Sequence, residues 1–71
     1  MLATISMAKI VIYKHSLNEF EKDYLPVFIE NITHKITVDE DSKKYTFSSF
    51  HQDALYRCLI WLSDKCDIEI M

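Results

Sequence analysis

The stretch from Ser49 to Cys66 constrains the fold most, because its apolar residues recur with the period of an amphipathic helix. Five residues of this stretch share one stripe, at the spacing i, i+3, i+4, i+7 and i+11: Leu55, Cys58, Leu59, Leu62 and Cys66. Ser49 and Gln52 have the spacing of a capping box, which marks a helix start. The sequence therefore predicts a long core-facing helix over residues 49–66.

A second face of this predicted helix carries residues that a purely solvated face would rarely combine: Arg57, Ile60, Trp61 and Asp64. Tryptophan and arginine are the residue types most enriched among interface hot spots. Ile60 lies well round the helix from the apolar stripe. We therefore predict that Ile60 and at least the edge of Trp61 are exposed to solvent and contact a partner protein or a second copy of the chain.

Two further elements precede this helix in the chain. Residues 8–13 are β-branched and apolar on both faces, which is typical of a central strand. The run from Ser16 to Glu19 has a capping-box pattern and predicts the start of a helix. The apolar positions of that helix are Leu17, Phe20, Tyr24 and Phe28. Translation can start at Met1 or at Met7, just before the strand.

Pro26 lies inside the first predicted helix. An interior proline removes one backbone hydrogen bond and crowds the preceding turn, at a cost of about 3 kcal/mol. The helix therefore ends near Tyr24, or it kinks and reaches about Asn31. Because apolar residues continue the helical period beyond the proline, we prefer the second alternative.

Residues 33–39 and 44–48 alternate between apolar and polar and predict a hairpin with a polar loop at 40–43. In the expected register Val38 pairs with Tyr45 and Ile36 pairs with Phe47. Residues 67–71 alternate as a last strand. The order β-α-β-β-α-β is that of the ferredoxin-like fold, a four-stranded antiparallel sheet with two helices on one face. We expect one α+β domain over residues 1–71, with the first and third strands in the middle of the sheet.

Composition and motif spacing narrow the function classes. The 71 residues suffice for one domain, and the net charge of −3 favours a protein partner over nucleic acid. The chain has no glycine, which excludes glycine-rich phosphate loops. The spacing of histidine and cysteine does not fit zinc, and no nucleophile motif frames a serine. We therefore expect no enzyme activity, no cofactor and no metal.

The cellular location follows from the cysteines and from the apolar segments. The two cysteines would lie too far apart on one helix for a disulfide, which indicates reduced thiols. The N-terminal residues lack the pattern of a signal peptide, and no segment approaches the roughly 20 apolar residues of a membrane span. We expect a cytoplasmic protein without membrane association.

Three carboxylates cluster at the predicted hairpin tip: Asp39, Glu40 and Asp41. They form either an ordinary solvated loop or an acidic surface that imitates phosphate to a basic partner. In the second case the tip would contribute to partner binding.

The segment 43–50, Lys-Lys-Tyr-Thr-Phe-Ser-Ser-Phe, resembles the RNP1 stretch of RNA-recognition motifs, with a basic start and aromatics at its third, fifth and eighth positions. This resemblance implies binding of single-stranded nucleic acid by stacking of bases on Tyr45 and Phe47. Lys44 and Thr46 replace the small residues of the family pattern. The alternation also puts Tyr45 and Phe47 on the apolar face of the hairpin, which predicts a core position instead.

The sequence thus predicts a small, acidic, non-enzymatic protein-binding domain. Ile, Lys, Asp, Phe and Tyr are common, whereas Gly and Ala are scarce, a bias typical of AT-rich genes in viruses and mobile elements. We therefore expect an inhibitor encoded by a phage or mobile element, which binds a host protein through its acidic or tryptophan-containing surface. The alternative is a single-stranded nucleic-acid binding domain of the RNA-recognition type.

Overall fold

A computed structural model describes residues 7–32 and 35–70, except for the side chain of Ile70. It contains four strands and two α-helices in the predicted order: β1 Ala8–Tyr13, α1 Glu19–Glu30, β2 Thr37–Glu40, β3 Lys44–Ser49, α2 Gln52–Leu59 and β4 Cys66–Ile70. A 3₁₀ turn, Lys14–Ser16, follows β1, and a 3₁₀ segment, Ile60–Lys65, follows α2. The predicted strand residues Thr33, His34 and Met71 lie outside the described residues.

The strands form one sheet in the order β2-β3-β1-β4, with all neighbours antiparallel. The ferredoxin-like prediction is therefore confirmed, including the central positions of the first and third strands. Ile10 lies opposite Phe47, and Ile12 lies opposite Tyr45. Because strand side chains alternate between the faces, these four share the face that packs on Leu25 of α1 and the leucines of α2.

The α1 helix begins with a capping box, but not at the residues that the sequence suggested. Asn18 Oδ1 accepts a hydrogen bond from the Glu21 amide, and Glu21 Oε1 accepts one from the Asn18 amide, both at 2.8 Å. The predicted box from Ser16 to Glu19 is wrong. Ser16 belongs to the 3₁₀ turn, where its hydroxyl donates to the Tyr13 carbonyl at 2.7 Å. The extra turn delays the start of the helix.

The α1 helix continues through Pro26 to Glu30, as the preferred alternative predicted. The inward face differs from the prediction, because the helix buries Glu21 and Leu25. Phe20 is 67% exposed and Tyr24 is 40% exposed. Both aromatics belong to the apolar positions predicted for this helix.

The second helix is shorter than predicted and is followed by a different conformation. Ser49 is the last residue of β3, where its hydroxyl donates to the Lys35 carbonyl and accepts from the His51 amide. The predicted capping box at Ser49 is therefore wrong, and α2 begins at Gln52. After Leu59 the chain continues as the 3₁₀ segment, with a kink at Leu62.

The apolar stripe of this region is largely confirmed. Leu55, Leu59 and Leu62 are buried in the core. Cys58 is half-buried, and so is Cys66, which begins β4 rather than continuing the helix. Both cysteines are free thiols.

The hairpin register is shifted by two residues from the prediction. Val38 lies opposite Phe47, and Glu40 lies opposite Tyr45. The turn explains the shift, because Asp41 Oδ1 accepts hydrogen bonds from the Lys43 and Lys44 amides at 2.7 and 2.9 Å. The side chain of Asp41 closes a tighter turn than the predicted four-residue loop. Because the shift is even, each side chain stays on its predicted face.

Candidate functional site

Four aromatic side chains form a continuous row that joins α1 to the 3₁₀ segment. We call Phe20, Tyr24 and Phe28 of α1, together with Trp61 of the 3₁₀ segment, the aromatic row. Phe20 stacks on Tyr24 with ring centroids 5.5 Å apart. Tyr24 lies 6.1 Å from Phe28, and Trp61 packs edge-on against both at 5.4 Å. The row follows the i, i+4, i+8 positions of α1, which lie one above the other on a helix.

The aromatic row is a surface as well as a packing contact. Trp61 is 37% exposed, close to the exposure of Tyr24, and Phe20 is more exposed than either. Phe28 is half-buried and connects the row to the core. Edge-to-face contacts hold the rings in fixed orientations. The result is a preformed apolar patch with its most accessible ring at the start of α1.

Residues of the predicted binding face contact different parts of the molecule. Arg57, Ile60, Trp61 and Asp64 are all exposed, as predicted for Ile60 and Trp61. However, Trp61 packs against α1, whereas Ile60 lines a groove beside β4. The chain changes from α-helix to 3₁₀ helix at Ile60, so the regular spacing of one helical face is lost there. Ile60 and Trp61 thus have different neighbours, and partner binding by Arg57, Ile60, Trp61 and Asp64 stays a prediction.

Arg57 lies in the last turn of α2. It lines an open concavity of about 560 Å³ together with Lys35, His51 and Asp53. These side chains include both signs of charge. The Arg57 side chain thus contributes to this concavity, whereas Trp61 packs on α1.

The groove beside β4 is almost entirely apolar. It encloses about 180 Å³ and is lined by residues of β1, α2, the 3₁₀ segment and β4: Ile10, Tyr56, Leu59, Ile60, Ser63, Cys66 and Ile68. Ile60 is 70% exposed on one wall, and Ile68 is 56% exposed on the other. Ile10 and Leu59 are buried beneath them. The groove therefore continues the core outward to the edge of the sheet.

The predicted acidic tip is exposed, and two of its carboxylates, Glu40 and Asp41, have local partners. Glu40 Oε2 accepts a hydrogen bond from Lys14 Nζ at 2.7 Å, and this bond raises the pKa of Lys14. The backbone amides of Lys43 and Lys44 lower the pKa of the Asp41 carboxyl. Asp39 is exposed on β2. The tip is therefore a mixed-charge turn, and its contribution to binding a basic partner stays a prediction.

The residues that resemble RNP1 are not available for base stacking. Tyr45 is buried and Phe47 is inaccessible to solvent, both on the sheet face that packs against the helices. Base-stacking aromatics would have to lie on the opposite face. Phe50 is exposed, but it follows the end of β3. The core position that the alternation predicted for Tyr45 and Phe47 is confirmed.

In residues 7–32 and 35–70 no three His, Cys, Asp or Glu side chains are grouped so that they could hold a metal ion. The helices of this same part of the chain fall short of the length and apolar character that crossing a membrane requires.

No family model matches the sequence, and no curated protein or solved structure matches it with significance. The functional interpretation therefore rests on the residues and their geometry.

Proposed function

We propose that this protein is a small non-enzymatic protein-binding domain whose main contact surface is the aromatic row. The observation that carries the proposal is the exposure of Phe20, Tyr24 and Trp61 in one contiguous series of ring contacts. A domain of this size buries only about 60% of its unfolded surface, so apolar residues are needed for its core. Three aromatic rings left on one surface are then best explained by a partner that covers them.

The chemistry of the row fits a protein partner. Aromatic side chains supply large contact areas with few rotatable bonds, and they are enriched in the buried centres of interfaces. Edge-to-face packing of Trp61 orders the rings before binding, which lowers the entropy lost in the complex. We therefore expect a partner with an apolar contact surface.

An inhibitory role is part of the same proposal. A domain that acts by covering a surface of its partner needs no reactive groups of its own. The composition typical of phage and mobile-element genes favours a host protein as that partner. Arg57 and the hairpin tip are not part of the aromatic row and would then lie outside the main contact.

Site-specific photo-crosslinking tests this proposal. A photoreactive phenylalanine analogue is placed at Phe20 or, as a matched control, at Phe50, which is 59% exposed at the start of α2. In cells that carry the gene, we expect one protein adduct of defined mass from position 20 and none from position 50. Adding Trp61→Ala should reduce the adduct. Equal adducts from both positions, or none from position 20, would contradict the proposed surface.

A further inference from the structure

The β4 strand leaves one edge of the sheet open in the part of the chain that the structure describes. Its pairing is with β1 on the inner side, and it stands last in the strand order. An edge strand presents unpaired backbone N–H and C=O groups, which can accept an additional strand. The apolar groove lies directly beside this edge, with Ile60 above and Ile68 on the strand itself.

The two faces of β4 differ in chemistry. Ile68 lies in the groove, whereas the adjacent Asp67 and Glu69 belong to the opposite sheet face and are exposed. Neither carboxylate takes part in an ion pair with the described residues. The strand therefore combines an apolar recess on one face with two negative charges on the other.

We propose that the β4 edge binds an extended segment of a partner protein in which basic residues alternate with apolar residues. The segment adds a fifth strand to the sheet through backbone hydrogen bonds. Its apolar side chains enter the groove next to Ile68 and below Ile60. Its lysine or arginine side chains lie on the other face, across from Asp67 and Glu69, where opposite charges on neighbouring strands stabilise the pair.

Charge argues against a second copy of this chain in the same position. If two β4 strands paired antiparallel about Ile68, Asp67 of one copy would lie opposite Glu69 of the other. Like charges directly opposite each other are destabilising. The carboxylates that attract a basic segment thus also hinder self-association through this edge.

This inference does not depend on the aromatic row. The groove lies between α2 and β4, whereas the row joins α1 to the 3₁₀ segment. One partner could contact both surfaces, but either surface can fail its own test without affecting the other.

The test uses isotope-labelled protein and capped peptides of about seven residues, the length of an ordinary strand. In the first peptide lysine alternates with valine, and in the second glutamate replaces every lysine. A third peptide has the composition of the first, with its lysines grouped at one end. We expect the alternating lysine peptide to bind about tenfold more tightly than the other two. Amide signals of residues 66–70 should shift and gain protection from hydrogen exchange.

A charge-reversal variant provides the decisive comparison. In the double variant Asp67→Lys, Glu69→Lys the preference should invert, so that the alternating glutamate peptide binds more tightly. Both positions are exposed, and an unchanged thermal midpoint verifies that the variant is folded. Equal binding of the three peptides, no binding of the lysine peptide, or signal shifts away from β4 would overturn the proposal. Concentration-dependent dimerisation through residues 66–70 would also overturn it.

Discussion

The Trp61 ring packs edge-on against the Tyr24 ring, with centroids 5.4 Å apart and planes at 70°. The same tryptophan makes an almost identical contact with Phe28, at 5.4 Å and 74°. Trp61 thereby connects the 3₁₀ segment to α1. Each such aromatic pair contributes about 0.5–1.5 kcal/mol beyond its buried area. The aromatic row is therefore partly a structural contact and partly a free surface, and substitutions should separate the two roles.

Trp61→Ala should destabilise the fold by about 2–3 kcal/mol, because it removes two edge-to-face contacts and the partly buried area of the indole. Phe20→Ala should cost less than about 1 kcal/mol, because that ring is mostly exposed and contacts one neighbour. Urea unfolding of both variants measures the difference. Equal costs would mean that Phe20 is packed much like Trp61.

Ile60→Asp should change the free energy of unfolding by no more than about 0.5 kcal/mol, since its side chain lies largely in solvent on the wall of the groove. The neighbouring Leu59 provides the matched control. Leu59 is buried in the core, and Leu59→Ala should cost about 2–5 kcal/mol. Thermal and urea unfolding test both variants. Unfolding of Ile60→Asp under native conditions would assign Ile60 to the core.

The first helix offers a direct comparison between two possible capping boxes. Glu21 accepts from the Asn18 amide and lies 3.7 Å from Lys65 Nζ, so Glu21→Ala should cost about 1–2 kcal/mol. Glu19→Ala should stay within about 0.5 kcal/mol, because that side chain is exposed. Urea unfolding distinguishes them. A larger loss at Glu19 would favour the box that the sequence pattern suggested.

The element order and the sheet order were predictable because they follow from hydrophobic periodicity and from the handedness of crossovers. The capping residue of α1 was not predictable, because Ser16 and Asn18 both have the required chemistry and only tertiary structure selects between them. The inward face of α1 was mispredicted for a related reason. The helix carries two neighbouring apolar stripes. The stripe that faces the core in the structure includes the charged Glu21. Its burial is tolerated because its carboxylate accepts a backbone amide and lies near Lys65.

The candidate site was only partly predictable. The exposure of Ile60 followed from its angular distance to the Leu55 and Leu59 stripe. Phe20 and Tyr24 were not predicted as surface residues, because they share a helical stripe of apolar positions with Leu17 and Phe28. The alternative stripe through Leu25 and Ile29 was the available signal. The change to a 3₁₀ helix at Ile60 has no distinct sequence pattern. The different neighbours of Ile60 and Trp61 could therefore not be foreseen.

The Cys66 thiol should titrate later than an ordinary cysteine. Burial, and then the nearby Asp67 carboxylate, raise its pKa from 9.0 to about 11. Because the folded state disfavours the thiolate, this group supports folding below pH 9, and its contribution is lost as the pH rises from 9 to about 11. In a Cys58→Ser background, the rate at which a thiol reagent labels Cys66 in the folded protein should keep rising up to about pH 11.

Two comparisons control the cysteine experiment. Labelling of the urea-unfolded protein should level off near the ordinary pKa of 9.0. Cys66→Ala should remove part of the stability loss between pH 9 and 11. If native and unfolded protein were labelled with the same pH profile, the thiol would be as solvated as in the unfolded chain.

Calorimetric titration of the crosslinked partner, once purified, tests the aromatic row most directly. Phe20→Asp should weaken binding by about 2 kcal/mol or more, the range of an interface hot spot, while costing less than about 1 kcal/mol of folding stability. Phe50→Asp, an equivalent change at an exposed phenylalanine elsewhere, should weaken binding by no more than about 0.5 kcal/mol. Equal losses from the two variants, or unchanged affinity of Phe20→Asp, would contradict the account.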